Sequence, residues 1–298
     1  MKSDFNPETQ EPAVTDRKLS PTDVARKARA ALKAKADPVR ARGAERYFKE
    51  TVKCYGVPAP EIHALAAELY GLIKADWTEA EAVGLCDILF TDAELEAKAV
   101  GGLVLGRFKK AYTPALFSSV KSWLADDRLD NWASVDGFCT DAMGAFLERY
   151  PAFAEKIKAW AFHRNRWVKR ASLVSFIKLA RKGEYLPVIY EISASIFPVE
   201  DDLIHKANGW LLREAGKTDP GRLEQFLLAH GPAIPRTTLR YAIERFPELK
   251  RKALLRDTRQ NVKTATIEVV QEMIKKKGRK VHPVPLYPIK KQEARKVR

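Results

Sequence analysis

Trp132 and Asp136 stand four residues apart, the spacing that puts two side chains on one face of a helix. An indole beside a carboxylate suits a positively charged ligand or transition state. The ring face attracts cations by roughly 0.5–2 kcal/mol, and the carboxylate adds a full opposing charge. The neighbouring residues support a helix here. Asp130 or Asn131 serves as N-cap, because a short side-chain oxygen accepts an otherwise unpaired amide of the first turn. Met143, Phe146 and Leu147 continue an apolar stripe. Taken alone, the pair also fits a half-buried Trp with a first-turn carboxylate favoured by the helix dipole, so the rest of the chain must decide.

Two further segments repeat the aromatic-plus-charge theme. Arg164-Asn165-Arg166-Trp167-Val168-Lys169-Arg170 gathers four cations around one Trp at a helix start. Such a first turn would offer amides and guanidinium groups to a phosphate. Further on, Lys206, Trp210 and Arg213 share a helix face, with Gly209 leaving room for something to approach the backbone. Thr237-Thr238-Leu239-Arg240-Tyr241 adds another polar-aromatic helix start.

Other chemistries are missing from the sequence. The five histidines form no pair at metal-ligand spacing, so no metal and no cofactor are expected. Gly101, Gly102 and Gly106 loosely imitate a phosphate loop but lack its Lys-Ser/Thr and sit in a helical pattern, which points to close helix packing. Cys54, Cys86 and Cys139 form no disulfide framework and suit a reducing cytoplasm. No apolar run approaches the roughly 20 residues needed to cross a bilayer, and Met1 to Leu19 lack the apolar core of a signal peptide. Lys and Arg exceed Asp and Glu by 15 (53 against 38), an imbalance that suggests a polyanionic partner. Part of the excess lies in the run Lys275–Lys280 and in the final residues to Arg298.

The elements that must position these residues are helical throughout. Ser20-Pro21 opens a helix through Ala36, and Asp37-Pro38 a second through Val52 that Gly56-Val57-Pro58 breaks. Similar punctuation recurs at Asp76, Thr91, Thr113, Tyr150, Asn165, Gly183, Asp201, Asp219, Pro235 and Pro247. Helix pairs every 35 to 45 residues or so are the period of HEAT-like repeats, which stack into solenoids with a concave binding surface. The expected organisation is a leader over 1–19, a helical-repeat domain over 20–277, and a basic, Pro-containing tail over 278–298.

From about Asp37 to Arg256 the chain resembles the HEAT-like-repeat alkylpurine DNA glycosylases, the AlkD-like DNA alkylation repair family. The likeness rests on Tyr47-Phe48-Lys49 followed by Gly56-Val57-Pro58, on Trp132 with Asp136, on Trp167-Val168-Lys169-Arg170-Ala171, and on Lys206-Ala207 with Gly209-Trp210, Leu212-Arg213-Glu214. The departures are the acidic leader, the basic tail, and Asn131 where an aromatic often stands.

The resemblance implies an all-α solenoid of irregular HEAT-like repeats with a concave DNA-binding groove. It implies that Trp132, Asp136 and Trp210 line a cleft against the lesion's deoxyribose, that Arg170 binds phosphate, and that Tyr47 lies near the lesion backbone. Arg166, Lys169, Lys206 and Arg213 would join the DNA contacts. The activity implied is hydrolysis of the N-glycosidic bond of cationic N3- or N7-alkylated purines in duplex DNA, without a Schiff base and without base flipping. A monomer in the cytoplasm, associated with the nucleoid and with no membrane partner, is expected. The alternatives are a non-catalytic paralogue that binds DNA structure through the same groove, and a protein-scaffolding HEAT module.

Overall fold

Helix starts are written into the chain by its caps. In the computed structural model, which describes residues 18–259, Ser20 and Asp23 form a reciprocal capping box at the head of α1 (Pro21–Ala34). Asp37 accepts the amides of Val39 and Arg40 to start α2 (Pro38–Glu45). The chain continues through α3 (Ala59–Ile73), α4 (Glu79–Leu89), α5 (Leu95–Arg107), α6 (Leu116–Ala125) and α7 (Trp132–Arg149). Then come the short α8 (Ala154–Lys158), α9 (Arg166–Val174), α10 (Ile177–Ala180), α11 (Leu186–Ile196) and α12 (Asp202–Ala215). α13 (Pro220–His230), α14 (Arg236–Ala242) and α15 (Glu248–Asp257) complete the described residues. Short 3-10 turns lie between some of them, and the only strand-type pairing among the described residues is an isolated β-bridge between Lys53 and Glu94.

The helices stack in two rows. An inner row runs α3, α5, α7, α9 with α10, α12 and α14, each packed on the next, while α4, α6, α8, α11 and α13 back it from outside. This is the α-solenoid expected from the helical periodicity. Outer helices begin at Glu79, Leu116, Ala154, Leu186 and Pro220, spacings that fall at or just below the short end of the expected range. One continuous apolar core fills the space between the rows. Under α7, the rings of Phe90, Trp123 and Phe138 meet edge to face at centroid separations of 5.0, 5.5 and 5.8 Å. Each such pair contributes about 0.5–1.5 kcal/mol beyond simple burial, and together they fix the helix that carries Trp132.

Two boundaries differ most from the sequence reading. α2 stops at Glu45 rather than running through Val52, because tertiary partners pull the following chain away. The Lys53 carbonyl accepts from Leu95 N, and the buried Glu96 carboxylate accepts the amides of Tyr55, Gly56 and Val57 at 2.9, 2.7 and 3.2 Å. Gly56 turns there with φ +82°, and a Cβ would stand 2.2 Å from the Asp37 carbonyl oxygen, so only glycine fits. α5 starts after Glu94, not at Thr91-Asp92, since Arg29 already holds the Asp92 carboxylate at 2.6 and 2.8 Å. The glycines of α5 divide. Gly101 and Gly102 face Phe90 and Phe138 closely, as helix packing requires, whereas Gly106 has open space before it. The expected leader, apart from Lys18 and Leu19, and the tail from 278 lie outside the described residues, as does the boundary at 277. No described helix is long and apolar enough to cross a membrane.

Candidate functional site

α7 begins at Trp132 because Asn131 caps it: the Asn131 side chain accepts from Ser134 N at 2.9 Å. The cap is itself held. Asn131 Nδ2 donates to Asp130, whose carboxylate also takes the ammonium of the nearly buried Lys98 at 2.7 Å. Trp132 is half-buried, with Phe48 stacked on one ring face at 5.1 Å and 20° between planes. One turn on, Asp136 is gripped by Arg170 of α9: Nε donates to Oδ1 at 2.7 Å and Nη2 to Oδ2 at 2.6 Å. Arg170 Nη1 donates to the Leu203 carbonyl. Burial pushes the Asp136 carboxyl above its ordinary value, and the bonds from Arg170 pull it only partly back.

These residues converge on a cleft of about 350 Å³ that also takes Trp210, Lys206, Arg213 and Tyr241, with Tyr47 exposed at its rim. A groove of about 800 Å³ along α5 and α7 shares Asp136 and Trp210 with it, so the two are parts of one concave channel. Gly102, Gly106 and Gly137 are among the residues lining the wider part.

Of the residues singled out in the sequence, Trp132, Asp136, Trp210, Arg170, Tyr47, Lys206 and Arg213 therefore meet. Arg166 and Lys169 do not line the cleft. Several expected modes of contact need correction. Arg170 is spent on Asp136 and the Leu203 carbonyl, with its side chain only 6% exposed, so it stands as Asp136's partner rather than as an open phosphate ligand. The first amides of α9 are not offered to a ligand, because Asn165 accepts from Trp167 N and Val168 N. Trp167 is buried. Arg166 is bound to Asp201 and Glu50, Lys206 to Asp202 at 2.8 Å, and Arg213 to Glu244 and Glu214. Gly209 admits α14, not a ligand: a Cβ there would lie 2.4 Å from Tyr241 Cβ and 2.6 Å from the Thr238 carbonyl oxygen. Lys169 stays outside any described ion pair, and with Lys121 and Arg164 it holds the His163 pKa down, after burial.

The sequence reading missed Glu50 and Leu203. Glu50 reaches the cleft on the segment after α2, with Oε1 3.4 Å from Arg166 and Oε2 buried without a hydrogen-bond partner. No local pattern marks it, since its partner is 116 residues away. Among the described residues, no group of three His, Cys, Asp or Glu side chains could hold a metal ion.

A stack of helix pairs whose concave face carries two tryptophans and a carboxylate defines the class: an α-helical repeat protein with an aromatic–acidic cleft. The chain belongs to the DNA alkylation repair enzyme family, whose model matches residues 28–246, and a role in alkylation repair follows. Its fold is similar to that of a predicted DNA alkylation repair enzyme from Enterococcus faecalis, with TM-score 0.64 and 20% identity over 72% of this chain and 98% of that one. At that identity the likeness speaks for the fold alone. Comparison with curated proteins finds no match.

Proposed function

We propose that this protein is a monofunctional DNA glycosylase that hydrolyses the N-glycosidic bond of cationic N3- or N7-alkylated purines in duplex DNA. The observation that carries this reading is the convergence of Trp132, Asp136 and Trp210 in one cleft of a concave channel. Alkylation makes the purine a cation and a good leaving group. The C1′–N bond breaks with its electron pair passing to the base, and positive charge develops on the sugar. Two indoles and a carboxylate are the groups that favour that charge. Both Asp136 oxygens keep a further lone pair beyond the bonds to Arg170, available to a water that attacks C1′. Arg170 aims the carboxylate and favours its charged form against the burial that opposes it. The base is taken to remain in the stack, unlike in the usual glycosylase strategy, because the groups lining the cleft favour charge on the sugar rather than contacts to the base. We place the protein in the cytoplasm as a monomer.

The Phe48 stack on Trp132 favours a second reading, in which one aromatic face is already filled and the protein binds DNA structure without catalysis. Release of free base from an N7-methylguanine duplex under single-turnover conditions separates the two. Release by wild type and its loss in Asp136→Asn support the glycosylase. Lesion binding without release favours the paralogue.

A further inference from the structure

α14 carries Arg236 and Arg240 one turn apart, and Arg259 follows two residues after the end of α15. The Arg236 guanidinium donates to Thr258 Oγ1 at 3.0 Å and to the Leu255 carbonyl at 2.8 Å. Thr258 is fully buried and its hydroxyl donates in turn to the Leu254 carbonyl at 2.6 Å. These acceptors carry no full charge, so they fix the guanidinium while the C-terminal dipole of α15 compensates it only in part. Burial, and then the nearby charges of Arg259 and Arg240, lower the Arg236 pKa from its ordinary value. Among the described residues, the three arginines form no salt bridge with a carboxylate, although Lys250, Lys252 and Arg256 of α15 each have one.

The cleft shows the opposite arrangement. Lys49, Arg170, Lys206 and Arg213, which line it, all face carboxylates. That leaves the cleft with little free positive charge for a phosphate. Tyr241, next to Arg240 on α14, lines the cleft, so α14 forms part of its C-terminal wall, and Arg236 and Arg240 lie one turn apart on the neighbouring face of that helix, toward the end of α15. Like charges one turn apart weaken a helix. Such repulsion is relieved by a bound anion, and a guanidinium pre-set on neutral acceptors loses little freedom when it binds one.

We propose that Arg236, Arg240 and Arg259 form a site for the phosphodiester backbone that grips the duplex beside the Trp132–Asp136–Trp210 cleft. This rests on the reading that DNA is the substrate. The test uses the double variant Arg240→Gln, Arg259→Gln, which spares the Arg236 side chain tied into the fold, and undamaged duplex as the probe. Each lost phosphate contact removes about 0.9 from the slope of log K against log salt. The double variant should therefore bind with a slope shallower by about 1.8 and with affinity lower on the order of 10- to 100-fold at 0.1 M salt. Its own melting temperature should equal or exceed that of wild type, because repulsion is relieved. An unchanged slope overturns the site. Inorganic phosphate that raises the wild-type melting temperature as much as duplex does, at matched ionic strength, also overturns it, because the site would then take free phosphate. The measurement does not depend on excision. A wild-type protein that binds with a steep slope yet releases no base removes the glycosylase reading and leaves the arginine site standing. A wild-type protein that does not bind duplex removes both.

Discussion

Arg170 and Asp136 meet through two parallel hydrogen bonds of 2.7 and 2.6 Å, joining α9 to α7 at the floor of the cleft. The guanidinium is almost wholly enclosed and the carboxylate largely so. Removing one partner of such a pair leaves the other charge buried, at a cost of up to about 3–5 kcal/mol. Arg170→Ala should therefore lower stability and excision together, while binding of undamaged duplex changes little. Urea unfolding, single-turnover release of N7-methylguanine and a binding isotherm on one preparation distinguish this from a phosphate contact, which would weaken binding first.

Asp136→Asn keeps an acceptor for Arg170 but removes the negative charge. Transition-state stabilisation should fall by about 2–4 kcal/mol, in the range found for single electrostatic catalysts, with duplex affinity within a few-fold of wild type. If the variant releases base at the wild-type rate, Asp136 is a structural partner of Arg170 and nothing more.

Proton linkage at Asp136 gives opposite trends for activity and stability. Its carboxyl holds a proton to higher pH in the folded protein than the ordinary 3.8. Excision that needs the charged form should rise as pH climbs through the folded-state pKa. This group's contribution to stability should decline over the window from about 3.8 up to that raised value, because there the native state binds more protons than the unfolded one. Asp136→Asn should flatten both profiles, read as single-turnover rates and thermal midpoints between pH 4 and 8.

On the glycosylase reading Phe48, which covers one face of Trp132 without itself lining the cleft, backs the indole rather than competing with substrate. Phe48→Ala removes a ring pair worth about 0.5–1.5 kcal/mol. The turnover rate at saturating protein should drop several-fold with little change in duplex affinity, and Phe48→Tyr should restore it. Faster release by the alanine variant would instead make Phe48 a cover over the site.

Gly209→Ala tests helix packing at α12. The added Cβ meets the Tyr241 Cβ and the Thr238 carbonyl at distances no rotamer change relieves, so α14 must shift. Overpacking of this kind costs about 1–3 kcal/mol, to be seen in equilibrium urea unfolding with no ligand present. Unchanged stability with impaired DNA binding would return Gly209 to the role of a ligand approach.

The helices were legible because their signals are local. Asn131, Asn165, Asp201 and Asp219 accept amides two or three residues ahead, and an apolar stripe names its own buried face. The solenoid then aligns successive inner faces, which is why residues as far apart in sequence as Trp132 and Trp210 line one cleft and could be grouped beforehand. Charge pairing had no such local sign. Arg170 lies 34 residues from Asp136, Arg166 lies 116 from Glu50, and Arg213 lies 31 from Glu244. The same cations at the same spacing would suit phosphate if the facing helix carried no carboxylate there. Likewise α2 had helical residues through Val52, yet Glu94 just before α5 and Glu96 in its first turn drew the chain into a non-helical path beside the site. Helical propensity is worth tenths of a kcal/mol per residue, less than three backbone bonds to a buried carboxylate. Sequence therefore decided which residues face the channel, whereas the packing of one repeat on the next decided which of their charges remain free.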